Sequence, residues 1–459
     1  MANLSRLGGK ATDVDMTQGN ILGHILKFAF PLLLGNLFQQ LYNTVDTWVV
    51  GNYVSSSAFS AVGAVTPIVN MLIGAFSGLA SGAGVVISRH YGAGEQHKVR
   101  QAVHTSAVLT LILAAAFTVL GLLMMPLMLN VMQLHTNDRA EATTYLSIYF
   151  AGLLGLMVYN MGAGILRAVG DSQRPFYYLV VCALLNTVLD LVFVLVLGLG
   201  VGGVALATIL SQGVSAVLVV LTLLRTESCV KIQPKNLKIH ADMLGKILLM
   251  GIPAALQMAV TAFSNVFVQS YITHFDKGLA SSIYMPGWTA YIKVDQLLFL
   301  PMQSISLAVT TFVGQNLGAK QQKRAKKGVT VSLILAIGCT VLLMVPVLIF
   351  ARQIIGFLIP DPAVVETGTM FLHLLTPFYV LCAFNQIYAC ALRGGGNSIA
   401  PMVMMLSSFV AFRQIYLFFM SQIRNEIVPI ALSYPAGWLL CSILTGVCYY
   451  VTTREKQKG

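Results

Sequence analysis

The chain reads Leu166-Arg167-Ala168-Val169-Gly170-Asp171-Ser172-Gln173-Arg174-Pro175 and, 226 residues later, Leu392-Arg393-Gly394-Gly395-Gly396-Asn397-Ser398-Ile399-Ala400-Pro401. The same offset aligns Tyr91-Gly92-Ala93-Gly94 with Leu317-Gly318-Ala319-Lys320, and an offset of 222 aligns Pro31 with Pro253. Similarity at a fixed offset indicates an internal duplication. In an apolar chain, a tandem repeat of this length predicts a transporter built from two helical bundles around a shared cavity.

The composition is that of a membrane protein. Of the 459 residues, 57% are hydrophobic and 10% are charged, whereas soluble domains carry about 25% charged residues. Uncharged stretches that reach the ~20 residues of a spanning helix recur along the chain. They predict twelve transmembrane helices, near 26–50, 57–86, 100–125, 141–165, 175–197, 201–224, 247–273, 283–313, 328–350, 366–390, 400–421 and 428–452. The predicted fold class is an all-α polytopic membrane protein with two pseudo-symmetric six-helix bundles, which are parallel repeats because six is even.

The predicted domains are a cytoplasmic tail (1–23), an N-terminal lobe (24–224), a cytoplasmic linker (225–246), a C-terminal lobe (247–452) and a second tail (453–459). No short apolar core with a small-residue cleavage site precedes the first helix, so we expect no signal peptide. Gly74, Gly78 and Gly82 recur every four residues in the second helix. This small-xxx-small pattern predicts close helix packing.

The net charge of +12 is concentrated in the predicted tails and in alternate loops. If both termini are cytoplasmic, most of the 28 Lys and Arg residues lie inside, and this positive-inside bias sets the orientation. Four basic residues would lie outside, namely Arg139, Lys277, Arg352 and Arg424. We therefore expect a multi-pass cell-membrane protein that contacts anionic headgroups and binds no nucleic acid.

Motifs for catalysis and cofactors are missing from the sequence. It has no CxxC or metal-type cysteine spacing and no Walker-type GxxxxGK[ST], which argues against an ATP-driven pump. The seven cysteines are scattered, and we predict neither disulfides nor a metal–thiolate site. We expect a protein that is not an enzyme, has no cofactor and functions as a monomer.

Charged residues inside a bilayer cost about 2.5–3.5 kcal/mol each, so each needs a partner or a function. In the N-terminal half, the first helix carries a polar stripe on one face that ends in an acid: Asn36, Gln39, Asn43 and Asp46. Asn186 and Asp190 lie one turn apart in the fifth helix, and Thr208 lies in the sixth. Counted from the outer ends of their helices, Asp46, Asp190 and Thr208 share a depth of about 7–12 Å.

Two carboxyl groups at one depth, with an amide and a hydroxyl nearby, suit either of two ligands. They can bind Na⁺ through oxygen, or they can share a proton because like charges repel. We therefore predict that Asp46, Asn186, Asp190 and Thr208 form a cation site, which is a metal site only if the ion is Na⁺. The alternative is that both acids are structural and hydrogen-bonded to neighbouring helices.

The C-terminal half has a different set of buried charges: Lys293, Asp295 and Arg413. Lys293 and Asp295 are two residues apart and point to different sides of the eighth helix. We predict an ion pair between Asp295 and Arg413, with Lys293 either joining it or lining the cavity. The complete set of candidate cavity-lining residues is Asn36, Gln39, Asn43, Gln257, Asn265, Lys293, Asp295 and Arg413.

The chain resembles the multidrug and toxic compound extrusion (MATE) family from about Ile25 to Tyr450. Three segments carry the resemblance: Pro31-Leu32-Leu33-Leu34-Gly35-Asn36-Leu37-Phe38-Gln39-Gln40-Leu41-Tyr42-Asn43-Thr44-Val45-Asp46, Leu166-Arg167-Ala168-Val169-Gly170-Asp171 and Thr311-Phe312-Val313-Gly314-Gln315-Asn316-Leu317-Gly318-Ala319. It implies a two-lobed exporter that exchanges entering Na⁺ or H⁺ for organic, often cationic, drug-like compounds. In the similar prokaryotic branch, the cation site corresponds to Asp46, Asn186, Asp190 and Thr208.

The resemblance has one departure. Some members carry a Glu in the seventh helix and an Asp in the tenth, where this chain offers only amides and a hydroxyl: Gln257, Thr261, Asn265, Gln269, Asn385 and Gln386. A second cation site built from those two acids is therefore not expected. The alternative functions are a flippase for lipid-linked precursors, which would need a more basic cavity, and a membrane enzyme or receptor.

Overall fold

A computed structural model describes residues 14–131, 136–276, 282–424 and 426–458, and these residues form helices joined by short turns, with no strand among them. The helices are α1 (Ile21–Tyr53), α2 (Ser56–Gly92), α3 (Gln96–Val131), α4 (Thr136–Ala151), α5 (Leu153–Ala168), α6 (Gln173–Leu191), α7 (Gly200–Arg225), α8 (Ala241–His274), α9 (Tyr284–Gly318), α10 (Gln322–Ile349), α11 (Ala351–Leu358), α12 (Pro362–Leu375), α13 (Tyr379–Gly394), α14 (Ile399–Leu406), α15 (Arg413–Ile423), α16 (Ile427–Ala431) and α17 (Ser433–Lys458). The helical class is confirmed.

Eleven helical segments in the described part of the chain are long and apolar enough to cross a membrane. A twelfth span is the pair Asp138–Ala151 and Leu153–Ala168, which is bent by 48°. The bend falls at Gly152, where an added Cβ would lie 2.3 Å from Ile209 Cγ2, and glycine is a common site of helix kinks. The predicted twelve spans are confirmed, with the fourth one bent.

Three further breaks interrupt the predicted spans. A 3₁₀ turn at Thr376–Phe378 separates α12 from α13 and contains Pro377. Wider π-helical turns cover Val192–Val196, just after Asp190, and Ser407–Phe412, just before Arg413. Such turns are frequent at functional sites.

Large apolar side chains cover the outer surfaces of the spans. Leu123 and Leu342 are each 72% exposed, and Ile334 is 67% exposed. Soluble monomers rarely expose apolar surface of this kind, because its contact with water is unfavourable. Its contact with lipid chains carries no such cost. Together with the twelve spans, these exposed side chains identify a multi-pass membrane protein.

The repeated stretch folds into the same turn in both halves. Gly170 and Gly396 have φ angles of +89° and +85°. Asp171 N donates to Leu166 O at 3.0 Å, and Asn397 N donates to Leu392 O at 3.0 Å. This is a Schellman helix end, in which a glycine supplies the left-handed residue.

The side chain after each of these glycines then caps the next helix. Asp171 Oδ1 accepts from Arg174 N at 3.1 Å, and Asn397 Oδ1 accepts from Ala400 N at 3.0 Å. The two halves therefore share the same capped turn, which ends one helix and begins the next.

The chain divides into two compact units. The first comprises residues up to Gln18, Phe30–Ala255 and Gly318–Lys320, and the second comprises Gly19–Ala29, Leu256–Leu317 and residues from Gln321 on. Helices α1 and α8 each contribute to both units. Between α7 and α8, one 3₁₀ turn covers Pro234–Asn236, and the predicted linker at 225–246 stays a prediction.

Close packing of the glycine stripe in α2 is confirmed at two of its positions. A Cβ added at Gly78 would lie 2.4 Å from Ala255 N, and one at Gly82 would lie 2.3 Å from Gly251 N. Both distances are far below van der Waals contact. The first half of α8 therefore packs directly against the backbone of α2 within the first unit.

We expect Gly82→Ala to destabilise the protein by about 1–3 kcal/mol, because the added methyl group forces the two backbones apart. The measurement is thermal unfolding of the purified protein in detergent. The matched control is Gly338→Ala, since a Cβ there meets nothing within 4 Å and alanine favours a helix by up to about 1 kcal/mol. Equal melting temperatures for the two variants would contradict the packing argument.

Asp276 caps the N-terminus of α9 from the preceding loop. Its Oδ1 accepts from the backbone N–H groups of Ile283 and Tyr284, and its Oδ2 accepts from Met285 N, each at 2.8 Å. Partial burial opposes ionisation, but the hydrogen bonds from Ser282 and from these backbone groups hold the pKa of Asp276 below its ordinary value. Its stabilising effect is therefore present above the unfolded-state pKa and is lost as the pH falls.

We expect Asp276→Ala to lower the unfolding free energy by about 1 kcal/mol at neutral pH, the usual value of a helix cap. The difference from wild type should begin to shrink only as the pH falls below about 4, the ordinary aspartate pKa, and should be lost once the pH passes the lower pKa of the folded state. Thermal unfolding at neutral pH and through this acidic range measures it. The exposed Glu366 on α12 provides the control variant Glu366→Ala, and an equal loss in both variants would rule out the cap.

Candidate functional site

The structure brings Asp46 of α1 and Asp190 of α6 together within the first unit. Their carboxyl groups are close enough to interact with each other electrostatically. Asp190 is completely buried, and Oδ1 of Asp46 is shielded from solvent. Residues that are 144 positions apart in the sequence therefore lie close together within the first unit.

The polar atoms of this pair lack donors. Among the described residues, neither oxygen of Asp190 nor Oδ1 of Asp46 has a hydrogen-bond partner. Both amide atoms of Asn186, which is 1% exposed, also lack one. Buried polar groups are almost always paired because an unpaired one costs about 1–3 kcal/mol. The cluster thus needs a ligand that oxygen atoms can hold.

Thr208 provides a further oxygen on α7, which packs against α6. Its hydroxyl is 7% exposed and donates its proton to Val204 O at 3.0 Å. The donor is therefore occupied within the helix, and the oxygen lone pairs stay available as acceptors. Thr208 borders a small cavity that Tyr149 and Gln212 also line.

Three side chains near the pair were missed by the sequence reasoning. Tyr42 lies one turn before Asp46 and interacts with it electrostatically. Tyr145 of α4 interacts with both acids, and Cys182 of α6 interacts with Asp46. The four-residue spacing from Tyr42 to Asp46 was a usable signal, whereas nothing in the sequence places Tyr145 on this face.

The donor set favours a hard cation or a proton. It consists of carboxylate, amide and hydroxyl oxygens, which suit hard ions rather than soft transition metals. No group of three His, Cys, Asp or Glu residues in the described ranges could hold a metal ion. The site can therefore bind Na⁺ through oxygen or hold a proton between two carboxyl groups.

The remaining polar residues of α1 do not join the pair directly. Asn36 and Gln39 are partly exposed, and Asn43 is exposed. The Gln39 side chain hydrogen-bonds Tyr42. Their role as cavity-lining residues stays a prediction.

The predicted ion pair between Asp295 and Arg413 is wrong. Oδ1 of Asp295 accepts hydrogen bonds from Tyr379 and Tyr291. Arg413 donates to Ser264 Oγ at 2.7 Å and to Asn265 Oδ1 at 2.9 Å, and its guanidinium lies 4.7 Å from the ring centroid of Tyr434. Both charged groups are thus hydrogen-bonded to uncharged partners on α8, α9 and α13, which the linear sequence did not reveal.

The other candidates in the second unit are separated from one another. Gln257 is 8% exposed and accepts a hydrogen bond from Arg393. Lys293 is exposed and borders an apolar cavity of about 660 Å³ between α9, α10 and α11. Only Asn265 and Arg413 are in direct contact.

The repeat relates the two units at these positions. With the offsets of 222 and 226, Asn265 corresponds to Asn43, Arg413 to Thr187 and Tyr434 to Thr208. The three C-terminal residues contact one another, since Arg413 bonds Asn265 and lies over Tyr434. The guanidinium of Arg413 and its two contacts therefore occupy the repeat positions that in the first half belong to neighbours of Asp46 and Asp190.

Comparison with known proteins shows that both halves of the chain are similar to members of one protein family. The family model described as MatE matches residues 31–192 and 253–418. The chain is 28% identical over 399 residues to a Bacillus subtilis (strain 168) protein named probable multidrug resistance protein YpnP, covering 87% of this chain and 88% of that protein. It is 23% identical over 437 residues to a Shewanella oneidensis protein named FAD transporter, covering 94% of each.

The solved structures agree on the fold. A structure described as the outward-facing conformation of a multidrug resistance MATE family transporter of the MOP superfamily superposes with a TM-score of 0.91 at 22% identity. The alignment covers 98% of this chain and 100% of that chain. The likeness shows that the two folds are the same.

We expect Asp190→Asn to raise thermal stability in Na⁺-free buffer at the alkaline end of the pH range in which the protein stays folded, because repulsion between the two acids grows as the pH rises. The amide supplies the missing donor and removes the repulsion, a gain of about 1–3 kcal/mol. The control is Asp295→Asn, because Asp295 already has two donors and should gain nothing. A lower melting temperature for Asp190→Asn would contradict the unpaired geometry.

Proposed function

Since the chain belongs to the MatE (multidrug and toxic compound extrusion) family, a family of transporters and not of enzymes, we propose that it is a secondary active multidrug efflux transporter. It exports organic, often cationic, compounds in exchange for Na⁺ or H⁺ that enters the cell. The observation that carries this proposal is the buried pair of Asp46 and Asp190, which lacks hydrogen-bond donors.

The names of relatives support drug-like small molecules as substrates. The Bacillus subtilis relative is named as a multidrug resistance protein, and the Shewanella relative is named as a transporter of FAD. These names do not favour the flippase alternative. The positive-inside bias supports cytoplasmic termini and a place in the plasma membrane.

The mechanism begins with the two carboxyl groups. A proton or a Na⁺ that enters from outside supplies the partner that Asp46 and Asp190 lack, with Asn186 and Thr208 as further oxygen ligands for Na⁺. Binding removes the repulsion between the carboxyl groups and draws α1, α6 and α7 together. The π-helical turn at Val192–Val196 follows Asp190 by two residues, so α6 has a deformable turn beside the site.

This rearrangement biases an equilibrium between outward-open and inward-open states. The ion favours the state that releases the drug, and its loss to the cytoplasm restores the state that binds the drug. Linkage requires that the effect be reciprocal, so the drug must weaken ion binding as much as the ion weakens drug binding. The protein works as a monomer, since one chain contains the complete cation site.

We expect Asp46→Asn and Asp190→Asn each to abolish gradient-driven efflux of an organic cation from proteoliposomes while leaving the protein folded. An asparagine can satisfy its neighbour but cannot take up and release a proton or neutralise a Na⁺ ion. Na⁺ and pH gradients are imposed separately, and the gradient that drives wild-type efflux identifies the coupling ion.

The matched control is Asp242→Asn, an exposed acid on α8 that pairs with Lys246 at 2.8 Å. This control should transport like the wild type. Full gradient-driven efflux in both Asp46→Asn and Asp190→Asn would refute the proposal. Efflux that needs no ion gradient would refute the exchange mechanism.

A further inference from the structure

Asp295 is a partly buried acid in a membrane-spanning helix that the mechanism above does not use. It lies in the fourth turn of α9, within the second unit. None of the ion pairs among the described residues includes it. A carboxylate in such a place must be neutral or must be stabilised by hydrogen bonds.

Two tyrosines meet Asp295 at a single oxygen. Oδ1 accepts from the hydroxyl of Tyr379 on α13 and, at 3.5 Å, from that of Tyr291 on its own helix. The two hydroxyls are 3.1 Å apart. Three oxygens therefore form a closed triangle in which every pair is within hydrogen-bonding distance.

The triangle can hold either two or three protons with every donor satisfied. With two, both phenols donate to an ionised carboxylate. With three, each oxygen in the ring donates once and accepts once, because the protonated carboxyl group and the hydroxyls are both donors and acceptors. Uptake of one proton thus rearranges the hydrogen bonds without leaving a buried group unpaired.

Aromatic rings enclose the triangle. Trp288 is completely buried, with its ring centroid 4.9 Å from that of Tyr291 and 5.1 Å from that of Phe371. Trp438 lies 5.6 Å from Tyr379. This enclosure strengthens electrostatic effects by keeping water away, while the partial exposure of Asp295 leaves a route for a proton.

We propose that Asp295, with Tyr291 and Tyr379, is a second proton-binding site in this protein, separate from the pair of Asp46 and Asp190. Its function in transport rests on the proposed function, but its protonation does not. The site is not a copy of the first, since Asp295 corresponds to Val69 in the repeat.

The other titratable groups around the triangle leave its protonation free to change. Cys382 of α13 and Tyr434 of α17 interact with Asp295 electrostatically, and Cys441 interacts with Cys382. Lys293 is two residues away on α9, and the guanidinium of Arg413 on α15 lies 4.7 Å from the ring centroid of Tyr434. Neither cation is within ion-pair distance of Asp295, so no fixed charge holds it ionised.

The three oxygens connect α9 to the start of α13, directly after the 3₁₀ turn that interrupts this span. Tyr379 is the first residue of α13 and follows the 3₁₀ turn Thr376–Phe378. While Asp295 is ionised, the Tyr379 hydroxyl donates to a charged carboxylate. Once Asp295 is protonated, the same hydroxyl is one member of a neutral ring of three hydrogen bonds. The bond between α9 and the start of α13 is weaker in the neutral ring, because hydrogen bonds to charged groups are about twice as strong.

The test uses infrared spectroscopy of the purified full-length protein, which detects the C=O stretch of a protonated carboxyl group. The background is the double variant Asp46→Asn/Asp190→Asn, which removes the two acids of the first site. Between about pH 5 and about pH 9, we expect a pH-dependent carboxyl band that disappears when Asp295→Asn is added.

Tyr379→Phe provides the second variant and keeps the proposal testable if Asp295→Asn fails to fold. Loss of this phenol removes a hydrogen bond to the ionised form, so the band should persist to a pH higher by about one unit or more. Tyr291→Phe is the matched control, with a smaller effect because its bond is longer.

Two results would overturn the proposal: a double variant with no Asp295-dependent band over this pH range, and a band that Tyr379→Phe leaves unmoved. Because the measurement needs no transport, its failure is distinguishable from failure of the efflux experiment.

Discussion

The scarcity of hydrogen-bond donors inside a membrane is the constraint on which this structure depends. A polar atom buried among lipid-embedded helices has no water to bond, so it must find a partner in the protein or bind a ligand. Most buried polar groups here find one: Asp171 caps a helix, Gln257 accepts from Arg393, and Ser215 donates to Tyr178 O. Asp46 and Asp190 do not, which is why this pair, rather than any other acid, defines the candidate site.

The duplication explains why the scaffold around this pair is so regular. The same Schellman turn follows α5 in one half and α13 in the other, with glycines at φ +89° and +85°. At the other repeated turn, Gly94 has φ +73° and its counterpart Lys320 has φ +60°. A lysine tolerates that strained conformation because the inherited backbone requires it. Backbone geometry was thus kept after side chains changed.

The membrane spans and the duplication could be predicted from the sequence. The length of an apolar stretch and the offset between two similar stretches are both read directly from the order of the residues. The grouping of Asp46 with Asp190 also followed, since depth along a helix is counted in residues. Depth does not specify which faces meet. Asp295 and Arg413 were therefore paired wrongly, because Tyr379, the partner of Asp295, is 84 residues away and an unremarkable residue in an apolar helix. Tyr145 was missed for the same reason.

The two units solve the problem of buried charge in opposite ways. In the N-terminal half, two acids lie close together without a donor among the described residues, and the proposed function supplies an exchangeable cation there. In the C-terminal half, corresponding positions hold the guanidinium of Arg413, which is bonded to Ser264 and Asn265 and covered by the ring of Tyr434. This cation is covalently attached and cannot leave. A unit that contains its own cation has no need of one from solution at that place, so the proposed ion exchange at these repeat positions belongs to the half that lacks the arginine.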